Sequence, residues 1–364
     1  MLFTCTPPGT RIEGYFPGAP RARGKWFTVD IHCHVHFEKA DEMVRPFWNP
    51  ERDATMKFAN DRTREVQRLQ MQRTHSQLTS IEKRIADMDV MGIDMQAVSP
   101  APVQMFYWTE PDLGLATARA VNDNIAEIVG KYPDRFTGMG TIPFQAPEFA
   151  IQELERITKL GFRGIEVSSN VAGTDFSDPK FRPIFRRLEE LGTVIFMHPS
   201  GFTDGQRFGD HYFSNVIGIP LESTIAVHHL IFGGVLDAYP GLKFVIAHGG
   251  GYLPAYSGRI DHGASARPDC CEHLKEDPTT YLKRLHFDTM VFTHHQLEYL
   301  VQQYGPDHVL MGTDYPYDMG ETDPIGFVEG SRGLNDEQRR MIFGGNAARL
   351  LGLDHALHHA APAR

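Results

Sequence analysis

The sequence predicts an α/β fold: a (β/α)₈ TIM-like barrel with an insertion after strand 1. Three observations predict it. Eight short apolar runs, rich in β-branched and aromatic residues, recur along the 364-residue chain between stretches of helical apolar spacing. Strands that alternate with helices run parallel, and eight is the number that closes a barrel. Histidines and an aspartate stand at the C-terminal ends of several runs, where such barrels build their sites. The other parallel architecture, an open doubly wound sheet, is disfavoured because no GxGxxG follows the first run.

In chain order the runs are "FTVDIHC" (27–33), "MQAVSP" (95–100), "FTGMGTIP" (136–143), "FRGIEVSS" (162–169), "TVIFMHPS" (193–200), "KFVIAHGG" (243–250), "LHFDTMV" (285–291) and "HVLMGTDYP" (308–316). Helix signals fill the gaps. In "DPKFRPIFRRLEELG", Asp178 serves as N-cap, Pro179 opens the first turn and Gly192 falls just past the end. The stretch 109–136 repeats apolar residues at three- and four-residue spacing and stops near Gly130 and Pro133. Residues 38–80 are polar and too long for a simple βα loop, so they read as an insertion over the barrel mouth. Residues 355–364 read as a frayed tail, and the whole chain, 1–364, as a single domain.

Composition narrows the partners. Hydrophobic residues make up 41% and charged residues 23%, with a formal net charge of −10, which argues against nucleic acid or an anionic membrane as a main partner. The N-terminus lacks a basic stretch followed by a long apolar run, and no apolar stretch approaches the ~20 residues needed to span a bilayer. Cys5, Cys33, Cys270 and Cys271 form neither a disulfide framework nor a zinc-ribbon spacing. The expected home is a reducing cytoplasm.

The strand ends carry the chemistry. Strand one ends in His32 and His34, two residues apart and so on one face of a strand; strand five presents His198, strand six His248 and strand eight Asp314. Strand interiors read as apolar, with polar residues confined to these ends. Three histidines and a carboxylate suit one borderline divalent ion, zinc before manganese, with a position open for water or substrate. His248 is then the spare histidine for proton transfer, and Gly249–Gly251 let a ligand approach the backbone. His228 and His229 read as packing residues, His294 and His295 as surface loop, His36 as a pocket residue outside the metal set, and Cys33 as buried and inert.

The ordered set "DIHCH", "FMHPSG", "IAHGGG" and "MGTDYP" resembles the amidohydrolase superfamily, and more narrowly its branch of aminocarboxymuconate semialdehyde decarboxylase and related aromatic-acid decarboxylases. The resemblance runs from about residue 27 to about 350 and includes "MDVMGIDMQAVSPAP", "GQR" (205–207), "SGRID" (257–261) and "GNAARLLGL". It implies a mononuclear divalent metal, usually zinc, held by His32, His34, His198 and Asp314, and non-oxidative C–C cleavage that releases CO₂. His248 and Asp314 would carry the chemistry, with His248 the general acid/base. Arg259 would reach the neighbouring subunit of a homodimer and grip a small-molecule carboxylate substrate, a task that suits the planar guanidinium. Arg73 falls one residue out of register with a second carboxylate-binding arginine. Strand four offers Glu166 rather than the lysine that bridges two metals in many binuclear relatives, which favours one ion, although a glutamate bridges two in some members.

Three functions compete. The first is a decarboxylase of an aromatic or muconate-type acid. The second is a hydrolase or hydratase of a lactone, amide or conjugated acid on the same residues. The third is an inactive barrel that binds a small acid or a protein, and loss of a ligand or of His248 would mark it; the sequence shows no such loss.

Overall fold

The computed structural model describes residues 21, 24–52, 57–271 and 273–353. The tail 355–364 and Cys5 lie outside them. All eight runs become strands: β1 (Val29–Val35), β2 (Met95–Pro100), β3 (Phe136–Gly140), β4 (Gly164–Val167), β5 (Val194–Met197), β6 (Lys243–Ile246), β7 (His286–Asp288) and β8 (Val309–Leu310). They pair in sequence order, all parallel. The barrel closes between β8 and β1, where Ile31 N donates to Met311 O at 3.0 Å and His34 N to Tyr315 O at 2.8 Å.

Side-chain alternation splits the strands into two apolar layers. Met139, Val194, Phe196, Val245, Ala247 and Leu310 fill the barrel interior, and the last helix, Asn346–Leu351, plugs its lower end with Ala347, Ala348 and Leu351. Ile165, Val167, Ile195, Met197, Phe244 and Ile246 point outward against the helices. Strand β1 breaks the alternation. Val29 and Ile31 belong to the inner layer, whereas Cys33 and Val35 belong to the outer one. A register shift against β2 between Asp30 and Cys33 accounts for the swap, because one extra residue exchanges the two faces of a strand. The bulge turns His32 and His34 toward the barrel axis and leaves the Cys33 thiol outside, near the Ala97 carbonyl at 3.6 Å.

The expectation of apolar strand interiors is corrected. Asp30 and Gln96 are fully buried in β1 and β2 on the helix-facing side. Asp30 accepts from His32 N, Thr313 N, Thr313 Oγ1 and Gln96 Nε2 at 2.7–3.1 Å. Gln96 accepts from Arg84 at 3.0 Å, and Arg84 also donates to the carbonyl oxygen of His34. Asp30, Gln96 and Arg84 thereby each have partners, the condition under which burial is tolerated. This network ties the backbone of the HxH segment to a neighbouring helix.

Helices α1 (Glu38–Val44), α2 (Asp61–Thr79) and α3 (Ile81–Met91) lie between β1 and β2, and the first two make up the insertion. Asn60 caps α2 through Thr63 N at 2.8 Å, and Ser80 caps α3 through Lys83 N at 3.2 Å. Strands β1 and β5 are opposite staves of the barrel, and the segments leaving them meet over the mouth. Asn60 N donates to Gly209 O at 3.0 Å and its side chain to Asp210 Oδ1 at 2.9 Å. Further helices, α4 (Pro111–Lys131), α5 (Pro147–Lys159), α6 (Arg182–Leu191) and α7 (Ile219–Phe232), cover the barrel wall. The i, i+4, i+7 positions Ala150, Leu154 and Ile157 bury one face of α5. Asp178 caps a single 3₁₀ turn, Pro179–Phe181, that leads into α6, and Gly192 ends α6 in the left-handed region.

Two smaller expectations also change. His294 and His295 open a helix, His294–Tyr304, and are not in a loop. The continuous helical segment Ser214–Phe232, 19 residues with mean hydropathy 1.2, is long and apolar enough to cross a bilayer by length and composition, contrary to the expectation that no such stretch exists. In this fold it packs on the barrel and is 39% buried.

Candidate metal centre

His32 and His34 are fully buried, and His198 and Asp314 nearly so. One ligand atom from each lies within 4.8 Å of all the others. His32 Nε2 and His34 Nε2 point at Asp314 Oδ1 from 3.2 and 3.3 Å, yet none of these three atoms makes a hydrogen bond, and neither does either ring nitrogen of His198. Buried polar atoms are rarely left in that state. Convergent imidazole nitrogens and a carboxylate oxygen without hydrogen-bond partners are the donor set of a divalent cation, and the residues present fit one.

His32, His34 and Asp314 are aimed by their surroundings. Asp288, at the end of β7, accepts from His32 Nδ1 at 2.6 Å and fixes the ring with Nε2 inward. Its remaining capacity goes to the backbone N–H groups of His248, Gly249 and Met290 at 2.8–3.1 Å. His34 Nδ1 meets the Pro100 carbonyl at 3.1 Å, again leaving Nε2 inward. His248 and Asp314 both stand in the left-handed region, φ 57° and 56°, at the points where β6 and β8 give way to loops. Such strain costs about 1–3 kcal/mol per residue and collects at functional sites. At His248 the turn brings the ring back over the mouth, its Nε2 3.7 Å from Asp314 Oδ2. Gly251 completes that turn at φ 68°, where a Cβ would sit 2.2 Å from the Pro220 carbonyl oxygen.

The electrostatics agree with a cation site. Burial works against charge on every group, and the carboxylates decide the outcome. Desolvation alone would lower His32, but Asp314 and Asp288 outweigh it and raise His32 to about 10. Burial likewise opposes charge on His34, yet Glu166 and Asp314 raise it. Burial, reinforced by His248, His34 and His32, pushes His198 well down and keeps its lone pairs free. For Asp314, burial is overcome by the surrounding imidazoles, His32 first, which hold it well below the usual carboxylate range.

His32, His34, His198 and Asp314 thus meet as the sequence spacing predicts, with His248 beside them. The two arginines do not join them within the chain. Arg259 is exposed on the helix Gly258–Ala266, and Arg73 occupies an exposed position of α2. The surface pairing open to Arg259, with Asp261, is taken up otherwise, since Asp261 accepts from Thr279 N and Oγ1 at 2.9 and 2.5 Å; the other candidate, Glu272, lies outside the described residues. His36 pairs with Asp41 at 2.6 Å, away from the ligands. Asp288 is the residue that sequence reasoning passed over, although a carboxylate closing strand seven was a visible signal. Asp288→Asn should weaken divalent-metal affinity by about 10–100-fold while the fold persists, as measured by competition with a chelator.

A cavity of about 780 Å³ opens beside the centre, in the range of small-molecule sites. Trp48 and Arg52 of the insertion wall it, together with Tyr107, Trp108, Asn170 and Ser200. None of the four ligands lines it. Its wall includes Ser200, two residues beyond His198, and Tyr107, whose phenol burial pushes up.

A barrel with this ligand set at its mouth defines a class, and the comparison of families agrees: a family model described as amidohydrolase matches residues 29–353, and the chain belongs to that family. Within it the chain stands in the branch of the 2-amino-3-carboxymuconate-6-semialdehyde decarboxylases. The Dictyostelium discoideum protein of that name is 38% identical over 273 residues, covering 74% of this chain and 76% of the relative. A 2-keto-4-carboxy-3-hexenedioate hydratase from Sphingobium is 26% identical over 350 residues, 88% and 95% of the two chains. Among solved structures, a 5-carboxyvanillate decarboxylase from Novosphingobium aromaticivorans, complexed with manganese and 4-hydroxy-3-methoxy-5-nitrobenzoic acid, superposes with a TM-score of 0.78 at 25% identity, covering 91% of this chain and 98% of that one.

Proposed function

We propose that this chain is a metal-dependent carboxy-lyase that releases CO₂ from an aromatic or muconate-type carboxylic acid without oxidation. The observation that carries the reading is a complete four-residue cation site with one further histidine, His248, facing its carboxylate ligand and free of ligand duty. When bound, a divalent ion there supplies the positive charge that holds and polarises an acid substrate. Zinc is the proposed ion, because three imidazoles and one carboxylate form a borderline donor set; manganese, present in the structural relative, is the alternative.

The protein's own part is positioning and proton movement. Loss of CO₂ requires a proton on the carbon that carried the carboxylate. The C–C bond electrons must stay with that carbon until the proton arrives. His248 is suited to deliver it: its side chain is 15% exposed, against none for His32 and His34, so it can exchange protons with solvent. Asp314, held as a carboxylate, faces the same ring at 3.7 Å and sets its position. The apolar and aromatic walls of the adjoining cavity accommodate the carbon skeleton.

A hydratase or hydrolase on the same residues is the second reading, favoured by the likeness to the Sphingobium hydratase. Turnover in D₂O divides the two. Decarboxylation leaves one deuterium on the carbon that lost CO₂, whereas hydration or hydrolysis adds the elements of water and keeps every carbon.

The same reading makes the protein a cytoplasmic homodimer. Free thiols at Cys33, Cys270 and Cys271 support the reducing compartment. Arg259 shares its exposed segment with Tyr252 and Tyr256, 42% and 69% exposed, beside Val216. Aromatic residues and arginine are the composition of an interface. In the dimer Arg259 reaches the partner's substrate carboxylate, and Arg73 is the second arginine assigned to substrate binding. Arg259→Ala should keep metal and fold but lose about 10²-fold in activity. Mixing it with an inactive His248→Ala variant should restore activity, because one mixed-dimer site then has both residues. No rescue, with subunit exchange verified by mass spectrometry, would mean that each chain works alone.

A further inference from the structure

Arg84 of α3 is fully buried, and among the described residues no carboxylate stands within 4.0 Å of its guanidinium. Its partners are neutral oxygens. Nη1 donates to Gln96 Oε1 at 3.0 Å, and Nη2 to the carbonyl oxygens of His34 and, at 3.4 Å, of Gln77. The guanidinium lies over the Tyr315 ring, 4.7 Å from its centre. A buried cation with only neutral partners is costly, and apolar side chains in its place would cost less.

The segments it touches give it a task. They are β1, β2, the end of α2 and the chain after β8, and two of the four carry ligands of the metal centre. His34 is itself a ligand, and Tyr315 follows Asp314. These two segments also meet each other, since His34 N donates to Tyr315 O at 2.8 Å. Arg84 therefore stands at the seam that closes the barrel, behind two ligands whose Nε2 and Oδ1 lie 3.3 Å apart. One turn further along α3, Asp87 holds the other end of the Tyr315 side chain. It accepts from the phenol at 2.7 Å, and from Lys83 Nζ and Gln77 Nε2 at 2.5 and 3.2 Å. Residues three apart share a helix face, so one face of α3 fixes both the ring and the hydroxyl of Tyr315.

We infer that Arg84 is a positioning residue of the metal centre, which sets the spacing of His34 and Asp314 by gripping the His34 carbonyl and the Tyr315 ring together. A lysine cannot do the same. Its ammonium is a point charge, whereas the planar fork bonds acceptors on two strands and still stacks on an aromatic ring. Groups that orient metal ligands from behind are worth about 10–100-fold in affinity. The inference rests on the reading of the four residues as a site for one divalent ion, and it is independent of the reaction the site performs.

Cobalt(II) exchanged into the full-length protein tests it, because its visible absorption reports ligand geometry and a chelator titration gives its affinity. In Arg84→Lys the affinity should fall by about 10–100-fold and the absorption band should change in intensity or position. Tyr315→Phe keeps the ring but frees it from Asp87, so it should move both in the same direction by less. Asn122→Ala is the control. Asn122 is as deeply buried, but its bonds run to Thr141 and Glu153 rather than to either ligand segment. This variant should lower the melting temperature and leave cobalt binding as in the wild type. Wild-type affinity and spectrum in Arg84→Lys would overturn the assignment. So would an equal loss in Asn122→Ala, which would trace the effect to general loosening. Should Arg84→Lys fail to fold, Tyr315→Phe decides alone, and unchanged cobalt binding there overturns the role. A wild type that takes up no cobalt removes the divalent-ion reading and the positioning role with it, whereas normal uptake that ignores Arg84 removes the positioning role alone.

Discussion

His32→Ala and Asp314→Ala should each strip the protein of its divalent ion. The wild type is expected to hold close to one ion per chain, and each variant less than about one in ten after dialysis, because the remaining donors hold a borderline ion poorly. His32 and Asp314 sit at the heart of the set: both are buried, and Asp314 Oδ1 lies within 3.3 Å of Nε2 on His32 and His34. Asp314 occupies a left-handed backbone position that asparagine tolerates better than alanine, so Asp314→Asn serves as the conservative partner, removing charge while keeping shape. Elemental analysis by mass spectrometry gives the answer directly. The same ligands predict a pH dependence. His32, raised to about 10, holds a proton that the ion must displace, so metal binding releases protons and affinity falls as pH falls. Two firmly held ions per wild-type chain would overturn the single-ion reading.

The second large effect separates binding from chemistry. His248→Ala should retain the ion and lose about 10²–10⁴-fold in rate, the range for removal of a positioned proton-transfer group. The ring lies 3.7 Å from Asp314 Oδ2 but outside the ligand set, so its loss leaves the four donors intact. Because His248 has φ 57°, His248→Asn is the companion variant that accepts the backbone without added strain. If both variants lose metal, His248 is a ligand and its assignment as the proton carrier is wrong.

The barrel and the meeting of the candidate ligands were legible because their signals are local. Each apolar run is long enough to read, and each of His32, His34, His198, His248 and Asp314 stands in or within four residues of the C-terminal half of its strand. What escaped was set by contacts between distant segments. The β1 bulge decides which way His32 and His34 point, yet "VDIHCHV" read alone gives only simple alternation. Asp30 and Gln96 break the expected apolar interior, and their bonds to each other, Thr313 and Arg84 make them tolerable there. Strand eight was expected over 308–316, but its regular ladder ends at Leu310, and the turn through Gly312 to a left-handed Asp314 follows. Asp288 belongs to the same class: its role appears only when β7 is laid beside β1 and β6 in space. The Glu166 carboxylate was noticed as a non-lysine, while its lack of partners is a property of the packed interior alone.

The measurement that bears most directly on the central claim is the ratio of CO₂ released to acid consumed by the zinc- or manganese-replete protein, across a panel of aromatic and muconate-type acids. The account predicts one CO₂ for each molecule of acid consumed, abolished by a chelator and restored by adding the ion back. Consumption of an acid with no CO₂, and with the elements of water gained in the product, would contradict it.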